Sequence, residues 1–221
     1  MPSSAGAIST RSRALARIAV AGAAVGAVVL IALLAIRPDV DPSQQMISDY
    51  ALGPHGWVMT VGFAAFAMAS AALFLALIDK AEGATAWIGL LFLLAAAIGT
   101  AMAACFRTDP MMSSTGPTTF SGQMHGVSFM VGVPGEVFAA LLLSRFLRKL
   151  TLWSRMPLVP STSATWLSLI AMVVAMALGA KGGGADWIGW PNRLFMLAYA
   201  LWVVAAAYPL AVASSVAEAR P

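Results

Sequence analysis

Six apolar runs, each close to the length a lipid bilayer demands, leave this chain few ways to fold. A helix needs about 20 mostly apolar residues to cross the hydrocarbon core. Runs near 16–36, 56–78, 84–105, 125–147, 163–180 and 193–213 meet that need. Composition excludes the soluble alternative: charged residues are 10% of the chain, against about 25% in a soluble domain. Hydrophobic residues are 60% and the mean hydropathy is +0.85, too much apolar surface for one water-excluded core. The expected fold class is an all-α integral membrane protein. Residues 1–221 would form a single transmembrane domain, a bundle of six transmembrane helices with related hairpins, behind a polar cytoplasmic segment over residues 1–14.

The first run could pass for a signal peptide, but it exceeds the usual apolar core of about 7–15 residues. It also ends in Ile36-Arg37-Pro38, not in a small-x-small site, so we expect a retained helix. Gly22 and Gly26 within it form a G-x-x-x-G pair that permits close helix contact. Ala171, Ala175 and Gly179 repeat that spacing in the fifth run. Cys105 is the one cysteine, which excludes an internal disulfide and any Cys-based metal motif.

The net charge of +4 does not point to nucleic acid, because membrane runs interrupt the basic residues. It points to topology. With the N-terminus inside, Arg11, Arg13, Arg17, Lys80, Arg145, Arg148, Lys149, Arg155 and Arg220 lie inside; Arg37, Arg107, Lys181 and Arg193 lie outside, and together these are the chain's 13. The excess of inner cations predicts a cell-membrane protein with both termini cytoplasmic. The basic segment after the fourth run, with Trp153 interleaved, suits an anionic inner leaflet.

The chain has two histidines. His55-Gly56 and His125-Gly126 each open an H-G-x-x-x-x-V-G frame at the start of the second and fourth runs, which relates the two hairpins. Asn192-Arg193 opens the sixth run as a weaker third copy. Asp49 and Asp109 lie in the loops ahead of the two histidines. Three helix N-termini, which favour anions, therefore share the outer mouth with two imidazoles and Arg193.

Phe106-Arg107-Thr108-Asp109-Pro110, Gly122-Gln123-Met124-His125-Gly126, Gly189-Trp190-Pro191-Asn192-Arg193 and Ile47-Ser48-Asp49 resemble the motifs of a bacterial and archaeal family of six-helix membrane proteins, family 998 of the domains of unknown function. The resemblance runs from about the first helix to the last. It implies a six-helix membrane protein and no particular activity, and it picks out Asp49, Asp109, His125 and Arg193. Arg107 stands where the family more often has proline, so no family role passes to it.

Glu136 lies midway along the fourth run. Eleven helical steps bring it back to within about 20° of His125, so the two share a face. A carboxyl at that depth faces a cavity or a partner. Pro134, two residues earlier, frees the carbonyl of Met130 and should kink the helix. The candidate ligand-binding set is thus Asp49, His55, Asp109, His125, Glu136 and Arg193.

Several readings stay open for it. The one asking least of the spacing is binding or transport of a small anionic molecule or a lipid headgroup, with no cofactor. A metal-dependent hydrolase would use His55, Asp109 and His125, although no H-x-x-x-H or H-E-x-x-H spacing is present. A haem held by His55 and His125 at equal depth is a third. Met111, Met112, Met124 and Met130 near the mouth are apolar filler in a chain with 13 methionines. Asp109, Ser121 and Gln123 are also good turn and cap formers. The residues 110–124 would fold over the mouth as a lid, bringing Asp109 to His125. A homo-oligomer or an accessory subunit of a larger membrane complex is a further alternative.

An engineered thiol at position 113 should react with an impermeant reagent from the outer side. Labelling from the cytoplasm alone would reverse the orientation.

Overall fold

The computed structural model describes residues 8–110, 117–180 and 187–213. It contains six α-helices: α1 Thr10–Ile36, α2 Gly56–Leu77, α3 Gly83–Cys105, α4 Phe120–Leu147, α5 Leu158–Ala180 and α6 Gly189–Val212. Short 3-10 turns occupy Ile47–Ala51, Ile78–Lys80 and Thr151–Trp153, and there is no strand among the described residues. All six helices are long and apolar enough to cross a membrane. This is a multi-pass membrane protein.

Four helices start earlier than hydropathy predicts, and in α1 and α4 a side-chain cap sets the start. An apolar run marks where hydrocarbon begins, whereas a helix continues until its backbone is capped. Ser9 caps α1 by accepting the Ser12 N–H at 3.0 Å, and Thr119 caps α4 by accepting the Gly122 N–H at 3.0 Å. Helix α5 starts at Leu158 rather than near 163. Pro160 is tolerated there because a first-turn N–H has no intrahelical partner to lose. Helix α6 starts at Gly189.

Each helix packs on the next, and α1 packs on α6, which closes a ring. Helix α6 is the most enclosed of the six and α5 the least. Apolar side chains such as Val28, Leu91, Leu167 and Leu201 face outward, as lipid-facing positions should.

Lipid tails are as apolar as leucine, so the helices are held by close packing and interhelical hydrogen bonds. Gly22 lies against Ala65 and Ala69 of α2, and Gly26 against the Phe66 ring, so the G-x-x-x-G pair is used within the chain. The tightest seam joins α3 and α4. There Gly99 meets the Gly132 backbone and Gly135 meets the backbone of Ala96 and Phe92. Helix α4 runs unbroken through Pro134. Hydroxyls and indoles supply further ties: Trp202 Nε1–H donates to Ser144 Oγ at 2.9 Å, and Ser144 pairs with Thr162 of α5 at 2.8 Å. Trp153 is buried and donates to the Ala206 carbonyl at 2.8 Å, so it anchors the turn before α5 and does not interleave with the surface cations.

A side chain at Gly99 has no room. Gly99→Leu should cost about 1–3 kcal/mol or more, read as a fall in thermal unfolding temperature in detergent. Gly126, where a methyl group would meet nothing within 4 Å, should accept alanine with unchanged or slightly higher stability.

Candidate functional site

The loop between α1 and α2 is held by two buried arginines, one from each neighbouring helix. Arg37, at the end of α1, donates to the Tyr50 carbonyl at 3.1 Å, to the Leu52 carbonyl, and to Asp39 with both Nε and Nη2. That fork holds the exposed Asp39 carboxyl below its ordinary range, chiefly through the hydrogen bonds from Arg37. Arg193 of α6 reaches the carbonyls of Gln45 at 2.7 Å, Gly189 at 3.0 Å and Pro42 at 3.1 Å. Its guanidinium lies 4.9 Å from the centre of the Tyr50 ring. The neighbouring Asn192 accepts the Ile47 N–H at 2.9 Å. The loop is thereby pressed onto the bundle, and Met46, Ile47 and Ser48 become the wall of a cavity.

That cavity, of about 70 Å³, has room for a few waters or a small ligand. Helices α2, α3, α4 and α6 line it with the loop. His125 and Glu136 both contribute, as their shared helix face predicts. Glu136 is 2% exposed and accepts a hydrogen bond from Thr100 Oγ1 at 3.3 Å. Thr100 also donates to its own helix, to the Ala96 carbonyl at 2.8 Å. Across the bundle, Tyr199 lies close enough to Glu136 to interact electrostatically, and its hydroxyl pairs with Ser70 at 2.8 Å.

His125 is half-buried, with its Nδ1 at 2.8 Å from the Phe106 carbonyl and its ring edge-on to Phe63 at 6.1 Å. A carbonyl only accepts, so Nδ1 carries the hydrogen; in the neutral imidazole Nε2 is then the acceptor. Asp49 is buried in the 3-10 turn Ile47–Ala51 and interacts electrostatically with His125. Ser128, one turn below His125, donates to its carbonyl and lines the cavity too.

The other four predicted site residues, Asp49, His55, Asp109 and Arg193, do not line this cavity. His55 is exposed, caps α2 in a left-handed conformation (φ 59°) and makes no capping hydrogen bond. His125, by contrast, lies in the second turn of α4, because Thr119 starts that helix at Phe120. The two H-G frames are therefore not equivalent positions. Asp109 comes back to the start of α4, as expected of the loop, but its partner is not His125. Its carboxylate accepts the Thr119 N–H at 2.9 Å and the Thr119 hydroxyl at 2.8 Å, and it lies against Gly122. Ser121 does not cap α4; it donates to the Arg107 carbonyl at 2.8 Å. Arg193 gives only Nη1 to carbonyls; its buried Nε and Nη2 have no hydrogen-bond partner among the described residues. Among the described residues no three His, Cys, Asp or Glu side chains are grouped to hold a metal ion. The lid residues 111–116, with Met111 and Met112, lie outside the described residues, as do Lys181 and Arg220.

Sequence reasoning missed Ser48, Thr100, Ser128 and Asn192 as site residues. Ser128 stood three residues after His125, on the same helix face. Asn192 stood inside a quoted motif. Thr100 had no signal beyond its position beside Gly99.

A family model described as a protein of unknown function, DUF998, matches residues 20–209. The chain belongs to this family. No curated protein and no solved structure matches it. In this DUF998 member the cavity, the two-arginine clamp and the Asp109–Thr119 cap all fall inside the matched span.

Asp109 and Thr119 form one capping unit. Asp109→Ala and Thr119→Ala should each cost about 1 kcal/mol of stability. The double variant should cost less than the sum, read by thermal unfolding in detergent.

Proposed function

We propose that this protein binds a small molecule in the cavity between His125 and Glu136, as a transporter or sensor of the cell membrane. The single observation that carries the reading is a cavity with a buried carboxyl at one end and an imidazole near the mouth. Polar groups at that depth are costly and are retained where they meet a ligand, water or one another. The walls between are mostly apolar, with Phe63, Phe129, Phe195 and Met196 among them. Such a lining suits a ligand with a compact polar group on a short apolar body. We place the mouth on the extracytoplasmic side, both termini in the cytoplasm and the six helices in a single domain, on the distribution of Lys and Arg.

The expectation of a small anion or lipid headgroup rested on Arg193 and three helix N-termini. The hydrogen bonds of Arg193 to Pro42, Gln45 and Gly189, and the position of Glu136 in the cavity wall, weigh against an anion there. The metal-dependent hydrolase and bis-histidine haem readings have less support, since His55 is exposed and Asp109 is bound to Thr119.

Small molecules that raise the unfolding temperature of the purified protein should lose that effect in Ser128→Phe, which fills the cavity. Ligands that stabilise this variant as well as the wild type would place the binding site elsewhere.

A further inference from the structure

We infer that the cavity takes a small organic cation, an ammonium group on a short apolar body, and that the cation exchanges with a proton on Glu136; this rests on the binding reading above. Three observations converge on it. First, Glu136 is the sole carboxyl within the six α-helices, and it is buried in the cavity wall. Among the described residues it accepts a hydrogen bond from the Thr100 hydroxyl and makes no ion pair. An uncompensated carboxylate in an apolar cavity is costly, so the site stays neutral by holding either a proton or a cation. Second, no Lys or Arg side chain among the described residues lines the cavity. An anion would face Glu136 with only His125 to offset it. Third, Phe63, Phe129 and Phe195 form aromatic walls, and ring faces attract ammonium groups.

The titratable and charged groups around Glu136 can be followed element by element. Helices α2 and α5 carry no Asp, Glu, Lys, Arg or His, and neither does α3. From α6, Tyr199 interacts with Glu136, and Arg193 is held by backbone carbonyls. On α4 itself His125 lies at the other end of the cavity, with Asp49 of the loop beside it. Both mouth groups are thus of a kind to let a cation pass and a proton leave. In the exchange the Glu136 O–H bond breaks heterolytically and the proton goes to water at the mouth. The ammonium keeps all its N–H bonds and replaces that proton as the counter-charge. No electrons are transferred.

The test uses three probes of one size with the full-length protein in detergent: butylammonium, butanol and butyrate. An alkylamine remains protonated below about pH 10, so its own charge is constant across the range. Calorimetry in buffers of different ionisation enthalpy should show butylammonium bound with about one proton released. Its affinity should rise about tenfold per pH unit while Glu136 holds its proton, then level off. Glu136→Gln should weaken butylammonium roughly 30-fold or more, because the buried counter-charge is gone. Butanol or butyrate binding as tightly as butylammonium would overturn the cation assignment, and this comparison needs no variant. Butylammonium binding without proton release, or with full affinity in Glu136→Gln, would overturn the exchange. If butanol or butyrate binds as tightly as butylammonium and Ser128→Phe abolishes that binding, the binding reading survives while the cation inference fails. If none of the three binds, both fail.

Discussion

The arrangement depends on how closely α3 and α4 approach. A bilayer supplies no hydrophobic drive between helices, so contact distance and hydrogen bonds decide which pairs form. Gly99, Gly132 and Gly135 let the two backbones touch. That contact sets Thr100 opposite Glu136, giving a mid-membrane carboxyl its donor. A bulky residue at the seam would separate the helices and break the same hydrogen bond. Packing and polarity at the centre of this protein are one constraint.

The mouth is organised by a different device. The loop from Arg37 to His55 buries Val40, Ile47, Tyr50 and Ala51 in the core, and charge and hydrogen bonding hold its backbone. Two arginines, from α1 and α6, each donate through Nη1 to two of its carbonyls. Asn192 adds a bond to the Ile47 N–H. Guanidinium suits this task because it stays charged and presents several donors in a fixed fork. Arg193 reads in sequence as a ligand for an anion; its surroundings make it a clamp. The clamp still bears on the site, since the loop it holds provides the Met46–Ser48 wall of the cavity.

Asp109 and the two histidines show how far residue type carries an argument. Aspartate ahead of a helix was expected near the positive end of α4, and there it lies. The partner differed because Thr119, ten residues on, offered both an N–H and a hydroxyl in capping geometry. His125 found the Phe106 carbonyl instead. His55 and His125 share a frame of letters, but letters do not fix helix phase. One histidine is a cap in left-handed backbone and the other is a turn inside its helix.

The sequence by itself determined the six spans, the all-helical class, the family and the shared face of His125 and Glu136. Each follows from hydropathy, helical period or short motifs, which are local or periodic properties of the chain. It placed helix starts only to within a turn or more, because caps, not apolarity, end a helix. The tertiary structure decided which polar groups meet. It drew His125, Glu136, Thr100, Ser128, Ser48 and Asn192 into one cavity and turned Arg193 and Asp109 to structural work. Those partners come from helices and loops far apart in the chain. Their meeting depends on the close glycine seam and the clamped loop, and no local pattern encodes either distance.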